Sequence, residues 1–341
     1  MNLARPTLVR PWPRALALVF SAAALPFIPH LGTQLLWNVV VPALPLVLLL
    51  TPARWRNHCP LGALASLADR PTTPPRDPAG LSALALALLA IAVPLRHLGA
   101  DRDGVAAAGL LAGVGALALL VSRARGSKAG WCGGGCPIAW VELLYGGRPA
   151  ETGPNRRCAS CAPCLRYCPD SARGADPTRG AGRLGWAFAL VFPGWCWGFF
   201  QTPDLRPDAA LSAAFAVRAF ALPLATGALG AVLLGLPLLR FDRAGRERWR
   251  RLLPFAALAL YYGARLPALL GFGAYGDDGR LVDLASAAPW LGPLLPLLST
   301  GLLAAWWWRP GPSRAWSRRP AYAGVRSRSD GRTSQPCQSS T

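Results

Sequence analysis

Eight apolar stretches, at residues 15–31, 35–50, 80–98, 104–122, 185–200, 219–239, 252–273 and 290–308, leave this chain little choice of solvent. A straight helical crossing of a bilayer takes ~20 apolar residues. In lipid, backbone polar groups are satisfied only by helices or closed barrels, and runs this continuous favour the helix. Hydrophobic residues fill 52% of the 341 positions and charged residues only 15%, against about 25% charged in soluble domains. The expected fold is therefore an all-α polytopic membrane protein with about eight transmembrane helices. Several stretches are short, and Pro26, Pro29, Pro42 and Pro45 interrupt the first two, so the first, second and fifth are expected to be kinked, re-entrant or thin. The first follows Arg5, Arg10 and Arg14 as a signal peptide would. It runs straight into the next apolar stretch with no small-residue cleavage site and polar start, and is read as a span.

A net charge of +20 raises the question of nucleic acid. The distribution answers it. With eight spans and the N-terminus inside, about 30 of the 36 Lys and Arg fall on one side, in segments 5–14, 54–76, 123–183, 240–251 and from 309 onward. The other side receives Asp101, Asp103, Asp204, Asp208, Asp277, Asp278 and Asp283. This is the positive-inside pattern, and it predicts a multi-pass membrane protein with both termini cytoplasmic. Nucleic-acid binding would need a soluble basic face with aromatic platforms, which arginines spread over membrane-flanking loops do not provide. The expected organisation is a four-helix membrane region at 1–122 with a cytoplasmic Cys-Pro loop at 51–79, then a cytoplasmic ferredoxin-type module at 123–184. A second four-helix region follows at 185–308, and a basic tail at 309–341 is expected to be disordered.

The chemistry is concentrated in residues 158–169, C-A-S-C-A-P-C-L-R-Y-C-P. Cys158, Cys161, Cys164 and Cys168 have the Cys-x2-Cys-x2-Cys-x3-Cys-Pro spacing of a bacterial [4Fe–4S] site. Three thiols at successive i+3 steps let a short looping backbone wrap a cubane. A zinc ribbon instead uses two separated pairs. Cys59, Cys132 and Cys136 also fall in predicted inside loops, where a reducing cytoplasm disfavours disulfides and favours metal binding. Cys196, among Trp195 and Trp197 in the fifth span, reads as a packing residue, and Cys337 lies in the polar tail.

Two Cys-Pro steps form a weak internal repeat, each after a pair of apolar stretches and each followed by a short amphipathic segment. Proline at the first helical position loses no hydrogen bond, and a Cys just before it sits at the positive end of the helix dipole, which favours the thiolate. Gly133, Gly134 and Gly135 permit close backbone approach to a bulky group. The segments from Trp131-Cys132 to Cys136-Pro137, His58-Cys59-Pro60-Leu61-Gly62 and 158–169 resemble the membrane-bound polyferredoxins of the NapH and NosR type, over roughly residues 30–175. That resemblance implies paired transmembrane helices, Cys-x3-Cys-Pro motifs on the cytoplasmic side, and [4Fe–4S] clusters passing electrons between a quinol or cytoplasmic donor and a partner redox complex. The chain departs from the pattern at Trp55, which stands where the first Cys of one motif would fall, and it lacks a second ferredoxin quartet.

The seven cysteines in the predicted inside loops are one short of the eight that two such clusters need. Three schemes stay open. Cys158, Cys161, Cys164 and Cys168 close one cluster locally, with Cys59, Cys132 and Cys136 as neighbouring or redox thiols. Alternatively Cys158, Cys161 and Cys164 borrow a remote Cys-Pro thiol, and Cys168 joins the remaining thiols and His58 on a second cluster. The third scheme is zinc or no metal.

Two other features invite ligands. Arg265 falls in the middle of the seventh stretch, where a charge costs at least ~2.5 kcal/mol on insertion scales and faces a partner or cavity. A quinone oxygen or a helix-to-helix hydrogen bond would each satisfy it. His30 and His97, at the outer ends of the first and third spans, allow a bis-His haem in principle. Dinucleotide and Walker fingerprints and a Ser–His–Asp arrangement are all missing. The sequence thus proposes a membrane-bound electron carrier rather than a stand-alone enzyme. The alternative is a non-redox sensing or assembly factor holding zinc or a labile cluster.

Overall fold

The computed structural model describes residues 12–68, 81–126, 128–146, 182–205, 209–275 and 279–309, and among these all regular secondary structure is helical. Helix α1 (Trp12–Ala24) breaks at residues 25–28, and α2 (Pro29–Gln34) then runs through a π-helical turn (Leu35–Val40) into α3 (Val41–Leu50). The break comes earlier than the sequence suggested. Pro26 has no N–H, and Ile28, held at φ −128° before Pro29, is pushed out of the helical region as pre-proline residues are. Proline 42 also accounts for the π-turn, since a normal ladder would set its ring against the carbonyl of Asn38. Downstream the ladder is mended from outside: Leu46 N donates to the Tyr262 hydroxyl (3.1 Å), which donates to Pro42 O (2.8 Å).

Two short helices follow, α4 (Pro52–His58) and α5 (Pro60–Leu67). Then come α6 (Ser82–Ala92), extended by a 3-10 turn (Pro94–Arg96), and α7 (Gly104–Arg125). Asp103 caps α7 by accepting from Val105 N and Ala106 N, and Gly126 ends it at φ +78°, a conformation costly for any residue with a Cβ. A second π-turn (Trp131–Gly135) leads into α8 (Pro137–Tyr145). The remainder comprises α9 (Gly182–Phe199), α10 (Ala213–Gly235), α11 (Arg243–Leu269) and α12 (Leu291–Trp307). Ser212 and Asp242 cap α10 and α11.

An apolar helix lies at each of the eight apolar stretches, but length separates them. Pro29–Leu50, Gly104–Arg125, Ala213–Leu239 and Ala244–Leu269 are long and apolar enough to cross a membrane. Trp12–Ala24, Ser82–Arg96, Leu184–Phe199 and Leu291–Trp307 are apolar and shorter. The outer faces suit lipid: Val217, Leu224, Leu229, Val232 and Leu233 on α10, and Leu297, Leu298 and Leu302 on α12, are all exposed. Helices α9 and α10 make the closest pairing. A Cβ on Gly198 would reach Pro223 Cα at 2.9 Å, so only glycine lets the backbones meet there.

A row of rings on α9 joins the two ends of the bundle. Phe188, Phe192, Trp195 and Phe199 stack at centroid spacings of 4.7, 5.8 and 5.9 Å. Trp140 of α8 meets the lower end of the row and His97 the upper. These contacts define a thiol end, with Cys59, Cys132 and Cys136, and a carboxylate end, with Asp101 and Asp204.

Candidate functional site

The Cys158, Cys161, Cys164 and Cys168 run lies outside the described residues, as does Cys337. The described residues resume on either side of it in α8 and α9, which pack together through Tyr145 on Phe192 and Trp140 on Phe188.

At that end the two Cys-Pro steps are built alike. Cys59 is the N-cap of α5, at φ −55° and ψ 119°, and Cys136 is the N-cap of α8, at φ −74° and ψ 123°; each is followed by proline at the first helical position. Cys59 Sγ accepts from Gly62 N at 3.4 Å. The expected loop at 51–79 is thus, over 52–67, a pair of helices. Gly62, Ala63, Leu64 and Ala65 of α5 are buried, and Ala63 and Leu64 form a small core with Ala15, Leu18 and Leu119. Helix α8 likewise buries Trp140, Leu144 and Tyr145 against Leu48, Leu49 and Ala85. The first part of the expected 123–184 module therefore packs into the bundle. The arrangement is crossed: α5 follows α3 yet packs on α1 and α7, whereas α8 follows α7 yet packs on α3 and α6.

Arg56 on α4 pairs with Glu142 on α8 and ties the two steps together. Lys128 lies over the first turn of α5, its Nζ 3.7 Å from where a Gly62 Cβ would be. Burial pushes the Cys59 thiol up, against the Gly62 hydrogen bond and the Lys128 charge. Burial pushes Cys136 up as well, and the Cys59 charge adds to it. Neither thiol ionises readily on its own, so thiolate here requires a cationic partner. Cys132, on the π-turn, packs in the same cluster as Cys136. His58 is exposed, with Nδ1 2.8 Å from Arg54 O in its own helix. Among the described residues no three His, Cys, Asp or Glu side chains are grouped to hold a metal ion.

Arg265 is fully buried, and its guanidinium donates to Trp37 O (3.1 Å) and to Asn38 Oδ1. The π-turn brings both groups to it, a helix-to-helix arrangement that takes up one edge of the guanidinium. His97 is not available to haem: Nδ1 lies 2.7 Å from Asp204 Oδ1 and Nε2 3.0 Å from Phe199 O. His30 is exposed on α2. Cys196 is buried in the main core, a packing residue as expected.

What the sequence reading missed is the ion network around His97. Arg96 Nη2 donates to Asp204 Oδ2 at 2.8 Å, across 108 positions of sequence, and all three side chains are buried. The available signal was Arg96 itself, one of the few basic residues on the predicted side that receives Asp101, Asp103 and Asp204. Comparison with protein-family models, curated proteins and solved structures returns no match to this chain.

Proposed function

We propose that the chain is a membrane-bound iron–sulfur protein that relays electrons at the cytoplasmic face of a bacterial inner membrane. The observation that carries this reading is the spacing of Cys158, Cys161, Cys164 and Cys168 before Pro169, which matches a [4Fe–4S] ligand set in every interval. When bound, the cluster supplies reversible one-electron transfer. The bundle supplies attachment, since the helices before and after the run, α8 and α9, pack on each other. The helix N-termini of α5 and α8, with Lys128, bias that end toward neighbouring anionic groups. One cluster is the economical count, because the seven cysteines of the predicted inside loops fall one short of the eight that two clusters need. The donor is a quinol or soluble reductant and the acceptor a partner redox protein.

Anaerobic purification tests the reading directly. The full chain should be brown, hold about four iron atoms and show a reducible EPR signal. Cys161→Ser should abolish all three. A colourless zinc-loaded protein, or iron retained in full by Cys161→Ser, rejects the assignment.

A further inference from the structure

The carboxylate end holds buried polar atoms that the electron-transfer reading does not use. Arg96 (5% exposed), Asp101 (9%) and Thr202 (2%) are all more than nine-tenths buried. Among the described residues, Arg96 Nε, Asp101 Oδ1 and Thr202 Oγ1 have no hydrogen-bond partner. Buried polar atoms left this way are the usual partners of an internal water, which takes two to four of them. The set also has mixed character: a donor, an acceptor and a hydroxyl that serves as either.

We propose that Asp101, with Arg96, Thr202, His97 and Asp204, forms a proton-binding site at the carboxylate end of the bundle, exchanging one proton with the aqueous phase through bound water. On release, the carboxyl O–H bond of Asp101 breaks, the electron pair stays on the carboxylate, and water carries the proton out. On uptake the same steps reverse, with no oxidant or reductant involved.

The charges around Asp101 support one exchangeable proton rather than two. Asp204 is the fixed anion, because Arg96 and His97 both donate to it. Asp101 then sits beside an anion in a buried place, with Arg96 and Arg102 as its cations and Arg102 Nε 3.6 Å from Oδ2. From α11, Tyr261 and Arg265 face the same region, and Tyr261 feels the charges of both Arg265 and Arg96. Burial first, and the Asp204 charge second, push the Asp101 carboxyl up to about 7.

The site is also wired to the fold. Trp37 Nε1 donates to Ala100 O at 2.7 Å, and Leu205 N donates to His97 O at 2.9 Å, so the segment carrying Asp101 joins the turn before α3 to the loop after α9.

Infrared difference spectroscopy of the full chain in lipid nanodiscs, stepped from about pH 5 to pH 9, tests the site whether or not a cluster is present. One protonated carboxylic C=O band should disappear near neutral pH and shift in deuterium oxide. Asp101→Asn should remove it. Thr202→Val, nearly isosteric, should keep the band and raise its midpoint, since the bound water that donates to the carboxylate form loses its hydroxyl partner. The proposal is overturned if the unmodified protein shows no titrating carboxylic band in this range, or if the band survives Asp101→Asn. It is also overturned if Thr202→Val leaves the midpoint unmoved.

Discussion

The two ends of the bundle seal themselves by opposite means. At the carboxylate end, Arg96, His97 and Asp204 are buried together and each charge is answered by another. At the thiol end the helix N-termini carry neutral thiols, Cys136 buried and Cys59 half-buried, and the ion pair, Arg56 with Glu142, keeps a little solvent contact on both sides. The first end gains its order from pairing, which makes it intolerant of losing one member. The second gains it from apolar packing of α5 and α8. The proposed metal group would then lie at the end ordered by apolar packing, and the proposed proton site at the end ordered by charge.

The largest test of that contrast is Asp204→Ala. It leaves Arg96 and His97 buried without their anion, and removing one partner of such a pair costs about 3–5 kcal/mol. Equilibrium unfolding in mixed micelles should show the loss. A change below about 1 kcal/mol, the scale of an exposed pair, would mean the network is solvated rather than buried.

Stability should also depend on pH with two opposed slopes. Burial alone would raise Asp204, but the Arg96 charge and the His97 hydrogen bond hold it well below the usual carboxylate range. Its contribution is present above the ordinary aspartate value of about 3.9 and is lost as pH falls below that. Asp101 runs the other way, its folded value pushed up to about 7. It favours the folded state fully below about 3.9, and that contribution is lost as pH rises toward neutrality. Unfolding midpoints should therefore decline between about pH 4 and 7, and Asp101→Asn should flatten the decline while leaving the acid limb. An unchanged decline in Asp101→Asn would assign it to another group.

Much of the architecture was legible because lipid is a strict solvent: each apolar stretch holds an apolar helix, and the interrupting prolines lie where the first helices bend. The lengths were not, since Pro26 and Pro29 move the first break to 25–28 and leave α1 with 13 residues. The Cys-Pro segments read as loops because Gly62, Ala63 and Ala65 carry little hydrophobic signal. Their burial depends on small partners such as Gly115 and Ala118, a match between distant segments that no local pattern reveals. Arg265 announced itself by its charge, but Asn38 as partner followed only from the π-turn at Pro42. The 158–169 run is the reverse case, written plainly in the sequence and lying outside the described residues.

The finest test compares the two Cys-Pro caps as local structure, apart from any cluster. Cys59 Sγ accepts from the Gly62 amide, satisfying one of the donors that every helix start leaves open. Serine at an N-cap does the same with a stronger acceptor, whereas alanine offers nothing, a difference of about 0.5–2 kcal/mol. A 3.4 Å sulfur contact should fall at the weak end of that range. Cys59→Ala should therefore lower the unfolding midpoint slightly, and Cys59→Ser should restore or exceed the parent. Capping acts on the fold alone, so this ordering should hold equally in protein stripped of iron. If Ser and Ala are equally destabilising only in iron-loaded protein, the thiol at Cys59 is a metal ligand rather than a cap. The thiol end would then be locked by its partners just as the carboxylate end is, and the contrast between the two would vanish.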